Sequence, residues 1–253
     1  MSDQPTVQTV SDGVARISWD FPVDRDGLWD AVDVVRREVE TALAGHGRVE
    51  ALIRADDETG QRVATWAGMR REGVMRGVGG DRIVYARLES DVPVSEPEGF
   101  RALLNSFLPR KRAISQMLIR DTDDRVLLCR LTYKQDWDLP GGVVEVGESP
   151  QLAVSREVSE ELGLDIKAGT LVLTDWLPPW GGWDDAICLV FDGGVHPPAL
   201  TEDIVRQERE IRDAEFCTLE QVRERAADFT ARRVEAAVAN LGTGAPAYTE
   251  SGR

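Results

Sequence analysis

Three glutamates, Glu157, Glu160 and Glu161, stand close together in the stretch "GGVVEVGESPQLAVSREVSEELGL", which runs from Gly141 to Leu164. On a helix, Glu157 and Glu161 lie four residues apart and Glu160 lies one step round the same face, so the three carboxylates are expected to converge. Like charges at this spacing cost a few tenths of a kcal/mol per pair when exposed, and more when half buried. The acids fall in the C-terminal half of the segment, where the helix macrodipole disfavours negative charge as well. Two readings stay open on the helix alone. One is a solvated acidic face, common in acidic chains. The other is a site for a divalent cation, since convergent carboxylates supply the hard oxygen ligands that Mg²⁺ or Mn²⁺ prefers.

The helix that must position these acids is legible. Ser149 followed by Pro150 is a start signal, a hydroxyl cap and then a residue whose missing N–H costs nothing in the first turn. Gly163 is a stop signal in the left-handed position. Between them Val154, Val158 and Leu162 recur at four-residue spacing as the stripe to be buried.

Gly142, Glu148, Arg156, Glu157, Val158, Glu160, Glu161, Gly163 and Leu164 fit the pattern G-x5-E-x7-R-E-U-x-E-E-x-G-U, where U is aliphatic, without departure. This pattern resembles the Nudix box, and the preceding "WDLPGG" from Trp137 to Gly142 resembles that family's approach to it. The resemblance covers about residues 111–242. It implies an α/β fold, an α/β/α sandwich with a mixed sheet, and a Mg²⁺- or Mn²⁺-dependent pyrophosphohydrolase cleaving a nucleoside diphosphate linked to another group by metal-activated water attack on phosphorus. Carried over, it makes Glu157 and Glu161 the main metal ligands and Glu160 a ligand or water-orienting neighbour. Arg156 would tie the box together through Glu148, and the Gly142 carbonyl would face a metal. The catalytic base is expected at Glu157 or Glu161, with Glu208, Glu210 and Glu215 as further candidates.

Substrate contacts are less sharply marked. Arg130 and Lys134 precede the box and are read either as phosphate contacts or as solvated strand-end charges. Trp137 belongs to the family-like approach. Trp176, Trp180 and Trp183 in "DWLPPWGGWDD" form a rigid loop on which a nucleobase could stack, or a clamp on another domain or subunit.

The rest of the chain bounds these expectations. Its 253 residues, 42% hydrophobic and 30% charged, suit one large or two modest globular domains. A net charge of -15 opposes a broad nucleic-acid surface, although a basic pocket or bound cation can still receive a small anionic nucleotide. The basic cluster at Arg110 to Arg112 is short enough for a solvated linker face. Cys129, Cys188 and Cys217 sit in apolar runs and are expected as buried thiols, and they form no zinc pattern with His46 and His196. With no basic start, apolar leader or membrane-length run, a cytoplasmic protein without membrane attachment is expected.

Residues 1–95 read as a smaller α/β domain: strand, helix, strand, helix and a hairpin around Gly79 and Gly80. The segment from Val49 to Asp91 resembles the C-terminal half of a GNAT-type acyltransferase, but the glycine-rich acyl-CoA loop is missing from "FPVDRDGLWDAV", residues 21–32. The domain is therefore expected to be non-catalytic, serving as scaffold, dimer interface or lining of the hydrolase site, and the family with its extra domain is compatible with a homodimer. Residues 96–110 are read as a linker, with a short helix ended by Pro109. Residues 243–253 are read as a flexible tail, following a single final helix from Leu219 to Leu241. The alternatives are a nucleotide-sensing module without turnover and a bifunctional acyltransferase and hydrolase.

Overall fold

In a computed structural model describing residues 4–20, 27–133 and 135–253, the chain divides into two compact units, Met1–Pro109 and Arg110–Arg253. The first unit carries β1 (Thr6–Ser11), β2 (Val14–Ser18), α1 (Leu28–Leu43), β3 (Arg48–Arg54), α2 (Glu58–Trp66), β4 (Arg70–Met75), β5 (Arg82–Leu88) and α3 (Pro97–Phe107). Its sheet runs β1-β2-β3-β5-β4. Here β2 and β3 are parallel and pair at only three positions, Val14 to Arg16 against Arg48 to Glu50. Helix α1 buries Val32, Val35 and Val39 at helical spacing, and α2 starts where the Asp57 carboxylate accepts from the Gly60 N–H at 2.8 Å. The segment read as a linker forms α3, which belongs to this unit: Leu103 is buried, and the Arg71 N–H donates to the Ser106 hydroxyl at 3.1 Å. Residues 21–26, where most of the missing acyl-CoA loop would fall, lie outside the described residues.

The second unit is an α/β/α sandwich around a mixed sheet. It contains β6 (Arg112–Asp121), β7 (Val126–Leu131), β8 (Trp137–Asp138), β9 (Gly141–Val143), α4 (Pro150–Leu162), β10 (Leu171–Leu177), β11 (Ala186–His196), β12 (Ile211–Cys217), α5 (Leu219–Arg225), α6 (Asp228–Asn240) and β13 (Ala247–Glu250). The order is β12-β7-β6-β11-β10-β13. Successive side chains on β6 point to opposite faces. Met117 and Ile119 therefore pack with Val154, Val158 and Leu162 of α4, while Leu118 packs with Val222, Val234 and Ala237 of α5 and α6. Burial on both faces accounts for the nearly continuous apolar runs of the inner strands. The three cysteines are buried free thiols, as expected.

One irregularity positions the site. Strands β6 and β7 pair only at Arg120 and Val126, and beyond that point β8 lines up on β7 while β9 lines up on β6. The segment leading into the glutamate helix thus threads between two strands of the main sheet.

Two expectations at the C-terminus need correction. The single final helix is two, because Ala226 and Ala227 are extended and Ala226 forms a bridge with Trp137; α5 begins at a capping box between Thr218 and Gln221. The flexible tail is a strand: β13 pairs in parallel with β10 through Leu173 to Trp176. Its anchor is Asp175, fully buried, which accepts from Thr249 Oγ1 at 2.8 Å, Gly252 N at 2.9 Å and Arg233 Nε at 2.8 Å. The polar stretch before α5 likewise contains a strand, β12, whose backbone completes the sheet edge beside β7.

Candidate active site

Two consecutive glycines bring the chain against helix α4. Gly141 has φ +136°, and a Cβ there would lie 2.2 Å from the Ser115 carbonyl oxygen, so neither the backbone conformation nor the space admits a side chain. A Cβ on Gly142 would lie 2.6 Å from the carboxyl carbon of Glu157. The backbone here therefore touches an acid of α4 directly. Helix α4 starts at Ser149 and Pro150 and ends at Gly163, φ +70°, where the sequence placed its limits. The Ser149 hydroxyl makes no capping bond, however, and the residue contributes its carbonyl to Ala153 N–H instead.

Arg156 is the hub of the acids. Its Nε and Nη2 donate to the two oxygens of Glu148 at 2.9 and 3.0 Å, a two-pronged pair. Its Nη1 reaches Glu160 at 2.9 Å and Glu157 at 3.0 Å. The guanidinium holds the Glu148 carboxyl below the ordinary range. Glu161 is the acid left over. It is 5% exposed, and the Gly141 N–H at 3.2 Å is a long single bond to its carboxylate. Burial, then the charges of Glu157, Glu210 and Asp138, pushes its pKa up to about 8 despite that bond. Burial also raises Glu157, against the opposing pull of Arg156.

The expected convergence of three carboxylates is therefore corrected to two. Glu160 is more than half exposed and turned to Arg156, and among the described residues no three acidic, histidine or cysteine side chains stand as a ready-made metal cage. Glu157 and Glu161 abut neighbouring glycines; Arg156 offsets Glu157, and no cation among the described residues pairs with Glu161. Two carboxylates beside open backbone suit a small hard dication, which commonly takes one or two protein acids and fills its other positions with water and substrate phosphate.

The remaining sequence candidates are dispersed. Arg130 is exposed on β7, and Lys134 lies outside the described residues. Trp137 packs into the core on the α5 and α6 side, with the Arg225 guanidinium 4.8 Å above its ring. The Trp176 N–H donates to Asp185 at 3.3 Å. Trp180 and Trp183 remain exposed, the first edge-on to Phe229 and the second under Arg112 at 4.7 Å. Of the later acids, Glu215 is paired with Arg225 at 2.6 Å. Glu208 and Glu210 lie in the turn whose Gln207 N–H bonds the Glu161 carbonyl at 2.9 Å, and the charge of Glu210 acts on both Glu157 and Glu161. The sequence reading missed Gly141 as a donor to Glu161, and it missed the buried chain Asp138, Gln116, Arg233 and Asp175. The signal for the latter was a polar residue set within a largely apolar strand, Gln116 in "AISQMLIR" and Asp175 in "TLVLTDWL".

Comparison with known proteins places this arrangement. A family profile described as NUDIX domain matches residues 109–237. The MutT-like protein of Streptomyces ambofaciens is 37% identical over 59 residues, which is 23% of this chain and 38% of that protein. Nucleoside triphosphatase NudI of Escherichia coli is 34% identical over 112 residues, 41% of this chain and 74% of that protein. The chain thus spans well under half the length of the first of these relatives. The crystal structure of a MutT protein from Methanosarcina mazei is 25% identical with a TM-score of 0.45, covering 52% of this chain and 96% of that one.

Proposed function

The chain belongs to the NUDIX domain family, and from that premise we propose that its second unit is a Mg²⁺- or Mn²⁺-dependent pyrophosphohydrolase acting on a nucleoside diphosphate linked to another group. The observation that carries this reading is the pair Glu157 and Glu161 set against Gly142 and Gly141, with Glu161 buried and without an ion-pair partner among the described residues. These two acids, with the Gly142 carbonyl, would hold the cation, which when bound would offset charge on the pyrophosphate oxygens and lower the pKa of a water.

The chain's own residues supply the rest. Arg156 keeps Glu148 ionised, opposes the effect of burial on Glu157, and fixes the orientation of both through its fork of donors. The water's proton passes to a carboxylate of the Glu157 and Glu161 pair, with Glu210 as the flanking acid of a later loop. Arg130 stays available to the substrate phosphates. Exposure favours Trp180, and the face of Trp183 that Arg112 leaves open, as the surfaces on which a base stacks, ahead of the less exposed Trp137 and Trp176. The first unit acts as a scaffold without acyl transfer, so incubation with acetyl-CoA should release no free coenzyme A.

The test is a panel of nucleoside triphosphates and nucleoside diphosphate derivatives with each metal, identifying the products. Release of a nucleoside monophosphate or diphosphate supports the reading. The reading fails if nothing turns over and Glu157→Gln and Glu161→Gln leave metal binding unchanged; nucleotide binding without product would instead favour a sensor.

Gly142→Ala is a finer probe. Gly142 lacks the positive φ of Gly141, so the backbone tolerates the new methyl, but the Glu157 carboxyl 2.6 Å away must move. Turnover is expected to fall about 10- to 100-fold through misplacement of one group. The melting temperature, read by circular dichroism, should shift by only a few degrees, about 1 kcal/mol or less.

A further inference from the structure

The first unit contains a cleft of about 390 Å³ that the hydrolase reading does not use, lined in part by Arg62, Trp66, Arg71, Tyr85 and Phe107. Its volume lies within the range of small-molecule sites. The walls are fixed by the fold. Arg36 Nη2 donates to the Trp66 carbonyl at 2.8 Å, and the Trp66 indole packs 6.1 Å from Trp29. Ser106 takes the Arg71 N–H and donates to the Leu103 carbonyl at 2.7 Å, which sets the end of α3, and Phe107 with it, beside β4.

The polar groups of the lining are unevenly matched. Arg71 and Tyr85 are cross-strand partners on β4 and β5, so their side chains rise together on one face. Tyr85 is 3% exposed, and its hydroxyl, which bonds to no other described residue, is not sealed in the core and opens on the cleft. Nor do the Arg62 and Arg71 guanidiniums have a carboxylate partner among those residues, although Arg48, Arg54 and Arg70 nearby in sequence all do. The Gln61 amide is spent on the Arg54 and Ala55 carbonyls, and the Thr65 hydroxyl on the Gln61 carbonyl. Two guanidiniums and a phenol are thus left as donors, against the one carboxylate of Glu58, in a chain with 45 acidic and 30 basic residues. Guanidiniums beside aromatic walls can meet an anion with a flat ring, the charge on the donors and the ring on the walls.

We propose that this cleft binds a small anion with a flat aromatic body, a carboxylate or a phosphate monoester. The charge meets Arg62 and Arg71, an acceptor oxygen takes the Tyr85 hydroxyl, and the ring lies against Trp66 and Phe107. The site is independent of the acids of the second unit.

Isothermal titration of the full chain with benzoate and with adenosine monophosphate tests it, with inorganic phosphate and benzyl alcohol as probes of charge and ring alone. Benzoate or the monophosphate should bind more tightly than either half-probe. Arg62→Gln and Arg71→Gln should each raise its Kd about tenfold, the loss of one charge-assisted contact, and Tyr85→Phe should raise it by a smaller factor. Unchanged melting temperatures would show the variants folded. Benzoate alone would identify carboxylates, and the monophosphate alone would identify phosphate esters. The proposal is overturned if neither probe binds, or if binding survives both arginine substitutions at unchanged Kd, as monophosphate held by the second unit would.

Discussion

Glu161→Gln is expected to lower turnover by about 10³-fold, on the order of 4 kcal/mol of transition-state stabilisation, while making the cation-free protein more stable at pH 8. The two effects share one cause. Glu161 is buried with a single long hydrogen bond, and its pKa is pushed up to about 8 from the usual 4.5. Between those values the folded protein keeps a proton that the unfolded chain releases. The stabilising contribution is therefore complete below about pH 4.5 and is lost as pH rises through 8. Glu157, also raised by burial, acts in the same direction.

Denaturant unfolding of the chelator-treated protein should thus show stability declining by a few kcal/mol across this window, and the decline should flatten in Glu161→Gln. Adding Mn²⁺ at pH 8 should restore the parent protein by mass action and leave the variant nearly unchanged. A parent profile that is flat from pH 5 to pH 9, with no response to the cation, would remove the physical basis for placing a metal at these acids.

Asp175→Ala is expected to destabilise the second unit by about 3–5 kcal/mol, lowering its melting temperature by about 10 °C or more. Asp175 is fully buried and Arg233 is 1% exposed, so removing the carboxylate strands a guanidinium in the core. Gln116 still meets Arg233 Nη1 at 3.0 Å, but Asp138 lies 4.0 Å away and already accepts from the Gln116 amide at 2.8 Å. The same substitution deletes the acceptor for Thr249 and Gly252, so β13 should lose amide protection before the rest of the sheet. Adding Arg233→Met to the variant should recover part of the loss, because the cost is that of an unpaired buried charge. A single-variant loss below about 1 kcal/mol, with β13 still protected from exchange, would show that the strand is held by its ladder alone.

The limits of α4 were legible because they rest on local chemistry. Pro150 needs no hydrogen bond in a first turn, Gly163 enters the left-handed region without penalty, and Val154, Val158 and Leu162 repeat with the helical period. The last residues were not legible, because "TGAPAYTESGR" has no periodicity of its own and becomes a strand only where Asp175 and the edge of β10 receive it. The break between α5 and α6 was hidden for a similar reason: "RERAADFT" contains no glycine or proline, and the bend follows from a backbone pairing with Trp137, some ninety residues earlier.

For the site, the sequence by itself determined which acids share a helix, that Arg156 lies near enough to offset them, and that a glycine must precede them, since spacing along one chain settles all three. Only the tertiary structure decided how the charge is divided. The splaying of β6 from β7 presses Gly141 and Gly142 onto α4, Arg156 is drawn to Glu148 and Glu160, and Glu161 is left buried with one backbone donor. Burial and countercharge depend on neighbours distant in sequence, so the glutamates that look equivalent in "REVSEEL" become three different groups once the sheet closes over them.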